Sequence, residues 1–590
     1  FFDVDKNLYG VRIIGADGYV KYVPEYDIMG ICKDCGKRFT GLRRRCPRCG
    51  SENVILQSDV LEALCEIASE VNEILIATDP DAEGEKIGFD IALALAPYAE
   101  KISRIEYHAV TPSEFRKALE NPRGIDLNRV KAQLVRRIVD RWVGFTFSHL
   151  LWKLKHIKKK FFSYSAGRVQ TPVLGWIIER FDEYKKNKIN VYFIHLSNGY
   201  FVSLEENSIP KEVWQSLVGK KVKVKIVKAH DEVLNPPPPY TTADLLKDIS
   251  AQLRIRSTET MRILQELFES GLITYHRTDS TRVSPEGINV AKEFIRNEFG
   301  DMSLFQPRAW GGQEEGAHEC IRPTMPITAN TLIRMLQTEE LVLPIRFTKK
   351  HFAVYQQIFR RFIASQMKPA KIRKGCIELI FDSRIKHRLE GILDILEPGF
   401  MVIYPYNTLP KFDNVKVERV QSLKISKVPL YNESEIIDKM RAEGIGRPST
   451  YAIILDILFK RGYIKTSLYR NKIFPLKRGI MIYTSLIRNI ESYAKKLERQ
   501  NKKLAERLRS FITVEGTRDL EREMDKVEKG KVDYQRVLKK IHEVLSMILK
   551  DLSKYYTREL IPAIERMVNS FNNENKKQGA GSISKNDEQG

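Results

Sequence analysis

The sequence predicts a multidomain chain that mixes α/β and α+β architecture. Three observations lead there. The chain has 590 residues, more than one ordinary core accommodates, which points to roughly three to five domains. The apolar run Val71-Asn72-Glu73-Ile74-Leu75-Ile76-Ala77-Thr78 ends in an acidic turn and passes into a helical stretch from Glu85 to Ala94, the strand–loop–helix unit of an α/β sheet. Two further stretches of period-two alternation, around 191–235 and 369–425, bracket a mostly helical segment.

The first element in chain order is a cysteine knuckle. Within residues 28–52, Cys32-x2-Cys35 and Cys46-x2-Cys49 are separated by ten residues. Each pair can turn two thiolates toward one tetrahedral ion, so the four read as a zinc ribbon. Gly36 and Gly50 follow the second cysteine of each pair, where the tight turn needs a permissive backbone. Rubredoxin-type iron and a pair of disulfides are the alternatives. Lys33, Lys37, Arg38, Arg43, Arg44, Arg45 and Arg48 make the knuckle basic and suit it to a DNA backbone. Cys65, Cys320 and Cys376 are scattered and read as small buried hydrophobes.

Next comes the acidic turn. Asp79, Asp81 and Glu83 fall at the C-terminal end of the predicted strand, where open α/β sheets bind ligands. Three hard oxygen donors at alternating spacing suit Mg²⁺. The competing reading is a solvated turn whose carboxylates cap the following helix. Glu85 reads as either a further metal-shell carboxylate or a helix cap.

Residues 1–125 therefore form an α/β domain holding the ribbon, and 126–190 read as basic amphipathic helices. Residues 191–235 are β, and Pro236 to Pro239 mark a boundary. Residues 236–368 are mostly helical, 369–425 return to β, and 426–570 are helical and charged. The Asn/Lys/Gly/Ser-rich tail, 571–590, reads as disordered.

Composition narrows the function. Lys and Arg number 98 against 75 Asp and Glu, a formal charge of +23 that points to a nucleic-acid partner. No stretch of about 18 apolar residues suggests a membrane span. Seven cysteines do not make a secreted disulfide framework. With no basic-then-apolar leader after Phe1, the expected location is the cytoplasm, and Phe1 reads as an internal start. No Gly-x4-Gly-Lys-Ser/Thr loop is present, so no P-loop ATPase is expected on this chain.

Tyr275 lies in Gly271-Leu272-Ile273-Thr274-Tyr275-His276-Arg277-Thr278-Asp279-Ser280. A phenol of pKa about 10 is a weak nucleophile at neutral pH and needs adjacent positive charge. Arg277 can supply it as a charge-assisted fork to a phosphate. With 24 tyrosines in the chain, a packing role is the local alternative.

Longer motifs decide between these readings. Asp79-Pro80-Asp81-Ala82-Glu83-Gly84-Glu85 resembles the signature of the Toprim fold. The Tyr275 run, Val135-Arg136-Arg137-Ile138-Val139-Asp140-Arg141-Trp142-Val143-Gly144-Phe145 and Ser165-Ala166-Gly167-Arg168-Val169-Gln170-Thr171-Pro172 resemble segments of the type IA DNA topoisomerases. So do Pro236 to Thr242, Ala317-His318-Glu319-Cys320-Ile321-Arg322-Pro323-Thr324, and Gly444 to Ala452. Cys320 stands where a small residue is usual. The ribbon upstream of the acidic motif, and the wording around Tyr275, tilt the likeness to the topoisomerase half of the reverse gyrases, in split or truncated form.

The resemblance implies a partial Toprim domain with zinc ribbon, plus helical DNA-binding, β-arch and helical tyrosine domains arranged as a toroid. It implies catalytic roles for Tyr275, Arg277 and His318, and magnesium on Asp79, Asp81 and Glu83. It places DNA, single-stranded and duplex, on Arg136, Arg137, Arg141, Arg168, Gln170, Arg282, Arg322, Arg447 and Ser449. Lys153, Lys155, Lys158, Lys159 and Lys160, followed by Phe161 and Phe162, form a further candidate strip, with a solvated loop as the alternative. The implied reaction is Mg²⁺-dependent transient single-strand cleavage through a 5′-phosphotyrosine, followed by religation. The family's first Toprim strand, with its catalytic Glu, is not found here. A helicase-type ATPase chain is expected to supply it, with ATP acting only through that partner to drive positive supercoiling. Life at high temperature is part of the same expectation. The alternatives are a DNA-binding subunit without catalysis, or a Toprim primase or nuclease.

Overall fold

The computed structural model describes residues 11–13, 20–22, 29–40, 44–153, 164–206, 209–311, 318–343, 345–467, 471–499, 502–542 and 545. The lysine strip at 155–162, the tail 571–590, Phe1, Arg43 and Ala317 lie outside them.

The ribbon is a three-stranded antiparallel sheet. Met29–Cys32 is its central strand, between Arg38–Thr40 and Val54–Leu56. Gly36 and Gly50 both have positive φ (65° and 73°), which lets each knuckle turn back on itself. The acidic turn follows in a parallel βαβ unit: strand Glu73–Ile76, helix Ala82–Leu95, strand Lys101–Arg104. Gly84 and Gly88 let that helix pack on the strand. A Cβ at Gly84 would stand 2.0 Å from the Asp79 carbonyl oxygen, and one at Gly88 would stand 3.2 Å from Ile76.

Among the described residues, three hydrophobic cores organise the remainder. The first joins helices Leu127–Lys153 and Gln170–Lys186 to Glu433–Ala442, Tyr451–Lys460 and Val514–Glu528, so residues some three hundred positions apart share one interior. The second surrounds Tyr275 and is built from helices Thr242–Gln252, Ser257–Glu269, Pro285–Phe299, Ala329–Gln337 and Lys349–Ser365. The third lies among β-strands. Lys188–Leu196 pairs antiparallel with Phe201–Glu205 and with the distant Val417–Ser426. Lys223–Leu234, Ala370–Ile380 and Lys386–Glu397 form a second antiparallel sheet, Ala370–Ile380 in the middle.

The segment expected to be helical after 426 also holds a hairpin, Ile464–Thr466 with Ile473–Pro475. Gly462, at φ 67°, ends the preceding helix and turns the chain into it. Among the described residues no helix is long and apolar enough to cross a membrane.

Candidate active site between the acidic loop and the tyrosine segment

Tyr275 follows helix Ser257–Glu269 through Gly271, whose φ of 71° an L side chain rarely adopts. A Cβ there would also meet the Val110 carbonyl oxygen at 2.4 Å. The extended run that follows is clamped on both sides. Tyr275 N–H donates to the His108 carbonyl (2.8 Å), and Thr274 N–H to the Arg322 carbonyl (2.9 Å). Thr274 Oγ1 donates to the Cys320 carbonyl at 2.7 Å. Residues 108–110, from the acidic domain, and 320–323 thus fix the tyrosine backbone before any substrate arrives.

The Tyr275 side chain is 2% exposed, and Phe268 packs edge-on to its ring at 5.2 Å. Its hydroxyl donates to Asp81 Oδ2 at 2.7 Å. Asp81 Oδ1 meanwhile accepts from Gly84 N–H at 2.7 Å and caps helix Ala82–Leu95. The two readings of the acidic turn therefore coexist in one carboxylate. Arg277 Nη1 stands 3.8 Å from Asp81 and 3.9 Å from Glu83. Burial raises the phenol well above its ordinary proton affinity, the Asp81 charge raises it further, and Arg277 opposes both. Asp79 is likewise pushed up, first by burial and then by the Asp81 charge. His318 stands 6.0 Å, ring to ring, from Tyr275. Tyr275, Arg277, His318, Asp79, Asp81 and Glu83, scattered over 240 positions, meet at one seam.

Two residues that sequence reasoning missed hold the acidic loop. Arg104, fully buried, donates to the carbonyls of Ile76 (3.1 Å), Thr78 (2.7 Å) and Asp79 (2.7 Å). Arg123 grips Glu85 through two hydrogen bonds of 2.7 and 2.8 Å. Glu85 is 1% exposed and also accepts from Asp126 N–H at 2.6 Å. Burial opposes its ionisation, but the Arg123 and Asp126 hydrogen bonds and the Arg123 and Arg104 charges outweigh it, and its pKa is lowered. Glu85 is therefore neither a metal ligand nor a cap, but the anion of a buried ion-pair cluster.

The cysteines do converge. The ligand atoms of Cys32, Cys35, Cys46 and Cys49 lie within 4.8 Å of one another, the only such group of three or more His, Cys, Asp or Glu among the described residues. Cys32 to Cys49 is 3.6 Å and Cys35 to Cys46 is 3.5 Å between sulfurs, far beyond a disulfide. Edges of about 3.8 Å follow from a tetrahedron with zinc–sulfur bonds of about 2.3 Å, so the cluster has the size of a metal site. The acidic loop does not gather three carboxylates in that way. It fits a magnesium ion held through one or two of them with waters, not one ligated directly by all three.

A trough leads to the site. A cavity of about 400 Å³ is lined by Arg141, Ser165 to Gln170, Ile454 and Arg461. A second, of about 360 Å³, shares Asp140 and Arg141 with it and adds Glu83, Lys86, Gln133, Arg136, Arg137 and Ser449. Of the residues expected on DNA, Arg136, Arg137, Arg141, Arg168, Gln170 and Ser449 therefore line one trough that ends at Glu83 of the acidic loop. Gln170 accepts from Arg461 and donates to Ser165 Oγ at 3.2 Å. Arg447 is half-exposed and bonded to Glu521 at 3.0 Å and to Asp525. Arg282 lies in the loop after Tyr275, its carbonyl accepting from Cys320 N–H.

Two of the residues expected on DNA are held by carboxylates. Arg168 is 2% exposed and is committed to Asp140 (2.7 Å), Glu521 (3.1 Å) and the Thr517 carbonyl (3.3 Å). Arg322, 6% exposed, forks onto Glu319 at 2.6 and 3.0 Å. In both, a buried carboxylate neutralises the guanidinium and the side chain braces a core, and Arg168 also lines the first cavity with Nη2 left without a hydrogen-bond partner.

A family model described as DNA topoisomerase matches residues 124–539, and one described as Toprim domain matches residues 35–110. The chain is 40% identical over 554 residues to a reverse gyrase of Pyrococcus furiosus, covering 92% of this chain and 43% of that protein. It is 39% identical over 551 residues to reverse gyrase 2 of Aquifex aeolicus, covering 93% and 44%. The chain thus spans less than half the length of these curated relatives. Full-length topoisomerase I from Thermotoga maritima superposes with a TM-score of 0.61 at 26% identity, over 91% of this chain and 87% of that one. With a family match across most of its length, and a tyrosine seated on the acidic loop of a Toprim domain, the chain belongs to the type IA DNA topoisomerase family.

Proposed function

We propose that this chain is the strand-cutting part of a reverse-gyrase-type enzyme, and that Tyr275 is its nucleophile. The observation that carries the reading is the Tyr275 hydroxyl on Asp81 at 2.7 Å, across the seam between the acidic loop and the tyrosine segment.

In the proposed step Tyr275 Oη attacks a backbone phosphorus in line. The phenol proton passes to Asp81 Oδ2, the bond from phosphorus to the 3′ oxygen breaks, and the tyrosine becomes esterified to the 5′ phosphate. The 3′ oxygen takes a proton from an acid on a partner chain. Arg277 contributes positive charge to the non-bridging oxygens. His318 holds a neighbouring phosphate. Asp79, Asp81 and Glu83 would hold magnesium through one or two of their carboxylates and through waters, and the ion when bound would supply positive charge to the phosphate oxygens. Reversal reseals the strand with no net change in bond energy, so religation needs no ATP. Cys32, Cys35, Cys46 and Cys49 would hold zinc and fix the ribbon.

The helicase-type partner, its ATP and positive supercoiling belong to the same reading. Support for a partner at the acidic domain comes from apolar side chains left open on an α/β unit of two parallel strands: Ile67 is 60% exposed, Leu93 49%, Ile87 42% and Leu75 37%. Incubation with single-stranded DNA and Mg²⁺, then denaturation, tests the chemistry. A covalent adduct lost in Tyr275→Phe is expected, with positive supercoiling only when a helicase-type chain and ATP are added. No adduct with or without that partner would leave a DNA-binding subunit.

A further inference from the structure

His108 lies across the seam from the candidate nucleophile, joined to it backbone to backbone. It belongs to the acidic domain, four residues past the strand that ends at Arg104, whereas His318 belongs to the tyrosine side. The two imidazoles meet edge to face across the seam, 5.7 Å between centroids and 76° between planes, with His318 in turn 6.0 Å from the Tyr275 ring. The His108 backbone is fixed independently of its ring, because its carbonyl accepts from Tyr275 N–H at 2.8 Å. The ring has no comparable anchor. Glu106 stands 4.0 Å from Nε2 and is already held by Arg123 and Arg129. Nδ1 of His108 and Nδ1 of His318 are both shut off from solvent with no hydrogen-bond partner. A buried ring nitrogen without a partner is costly, about 1–3 kcal/mol, and two such rings in edge contact near a nucleophile suit a ligand that offers acceptor oxygens.

We propose that His108 is a further substrate-binding residue, which with His318 forms a two-imidazole clamp on one phosphate of the DNA strand that Tyr275 cuts. The inference rests on the strand-cutting reading for its substrate, but its test needs no cleavage. The clamp has one jaw on each side of the seam. A phosphate seated in it therefore ties the acidic domain to the tyrosine segment while the nucleophile is in place.

The test is a phosphate scan. Single-stranded DNA oligonucleotides carrying one neutral methylphosphonate at each successive position are bound to the Tyr275→Phe protein and to Tyr275→Phe carrying His108→Ala, His108→Asn or His318→Ala. The clamp predicts one position at which methylphosphonate weakens binding about three- to tenfold in the Tyr275→Phe protein and has under a twofold effect once His108 is Ala. His318→Ala removes the penalty at that same position, and His108→Asn, which keeps a donor, restores part of it. A purely structural His108 would weaken every oligonucleotide alike and leave the scan's profile unchanged, and that outcome overturns the proposal. So does loss of the penalty at different positions for the two histidines. Failure of the strand-cutting reading shows separately, as absence of an adduct from the wild-type chain.

Discussion

Arg168 separates a bracing role from a DNA-contacting one, and the structure assigns numbers to both. Its guanidinium is held by Asp140 and Glu521, with side-chain exposures of 1% for Arg168, 4% for Glu521 and 41% for Asp140. Removing one member of a buried ion pair costs about 3–5 kcal/mol. Arg168→Ala falls at the low end, about 3 kcal/mol, because Arg447 Nε still reaches Glu521 at 3.0 Å and water reaches Asp140. The loss concentrates on helix Val514–Glu528, which carries Glu521 and the Thr517 carbonyl that Arg168 also bonds. Amide hydrogen exchange reads it directly: amides of that helix should exchange about 150-fold faster, the equivalent of about 3 kcal/mol in local opening. Single-strand DNA binding should weaken no more than this loosening requires. Its dependence on log salt should keep the wild-type slope, whereas a lost phosphate contact shortens the slope by about 0.7. Arg141→Ala, in the wall shared by the two cavities, is the contrasting variant, with a reduced slope. A shortened slope with normal exchange in Arg168→Ala would refute the bracing role.

Three further outcomes follow from other parts of the molecule. Gly84→Ala places a methyl 2.0 Å from an Asp79 carbonyl that Arg104 holds at 2.7 Å, so the acidic loop must shift; adduct yield should fall at least about tenfold, while Gly88→Ala, facing a side-chain methyl at 3.2 Å, stays within a few-fold of wild type in the same gel assay. His276 is fully buried, and burial, then the Arg277 charge, lower its pKa to about 3. The unfolded chain takes up that proton near pH 6.5, so His276 favours the folded state above pH 6.5 and the advantage drains away as pH falls toward 3. The difference is about 4–5 kcal/mol at its fullest, and His276→Phe should flatten the decline in urea midpoint over that range. Cys46→Ser removes one corner of the four-sulfur cluster, and metal analysis of the purified protein should fall from about one zinc per chain to near none. Iron instead of zinc in the wild-type chain would revert to the rubredoxin-type alternative.

What could be read from the sequence was local, and what could not was made by distance in the chain. The cysteine spacing announces a metal knuckle because each Cys-x-x-Cys turn is complete within four residues, and the sulfurs do converge. The acidic run announces itself because strand, turn and helix are contiguous, and Asp81 still surprised by serving as helix cap and as tyrosine acceptor at once. Alternation at Val191 to Leu196 gave a strand, but nothing local names Val417–Ser426 as its neighbour; that pairing is set by packing in the third core. Arg104 was illegible for the same reason. It ends a short strand like any surface arginine, and only the fold aims it at three carbonyls of the acidic loop. For Arg168 and Arg322 the motif could not name the protein anion, since an arginine's identity does not reveal that Glu521 or Glu319 lies beside it. Glu85 lay within a metal-like motif yet faces Arg123 and Arg104.

The most direct measurement is to identify which atom carries the DNA. The chain is incubated with Mg²⁺ and a single-stranded oligonucleotide labelled at its 3′ end, trapped with denaturant and digested with nuclease and protease, and the peptides are sequenced by mass spectrometry. The account predicts a nucleotide on the peptide containing Tyr275, joined through a 5′ phosphate, and none in Tyr275→Phe or after Mg²⁺ is chelated. A nucleotide on any other side chain, or joined through a 3′ phosphate, would contradict it.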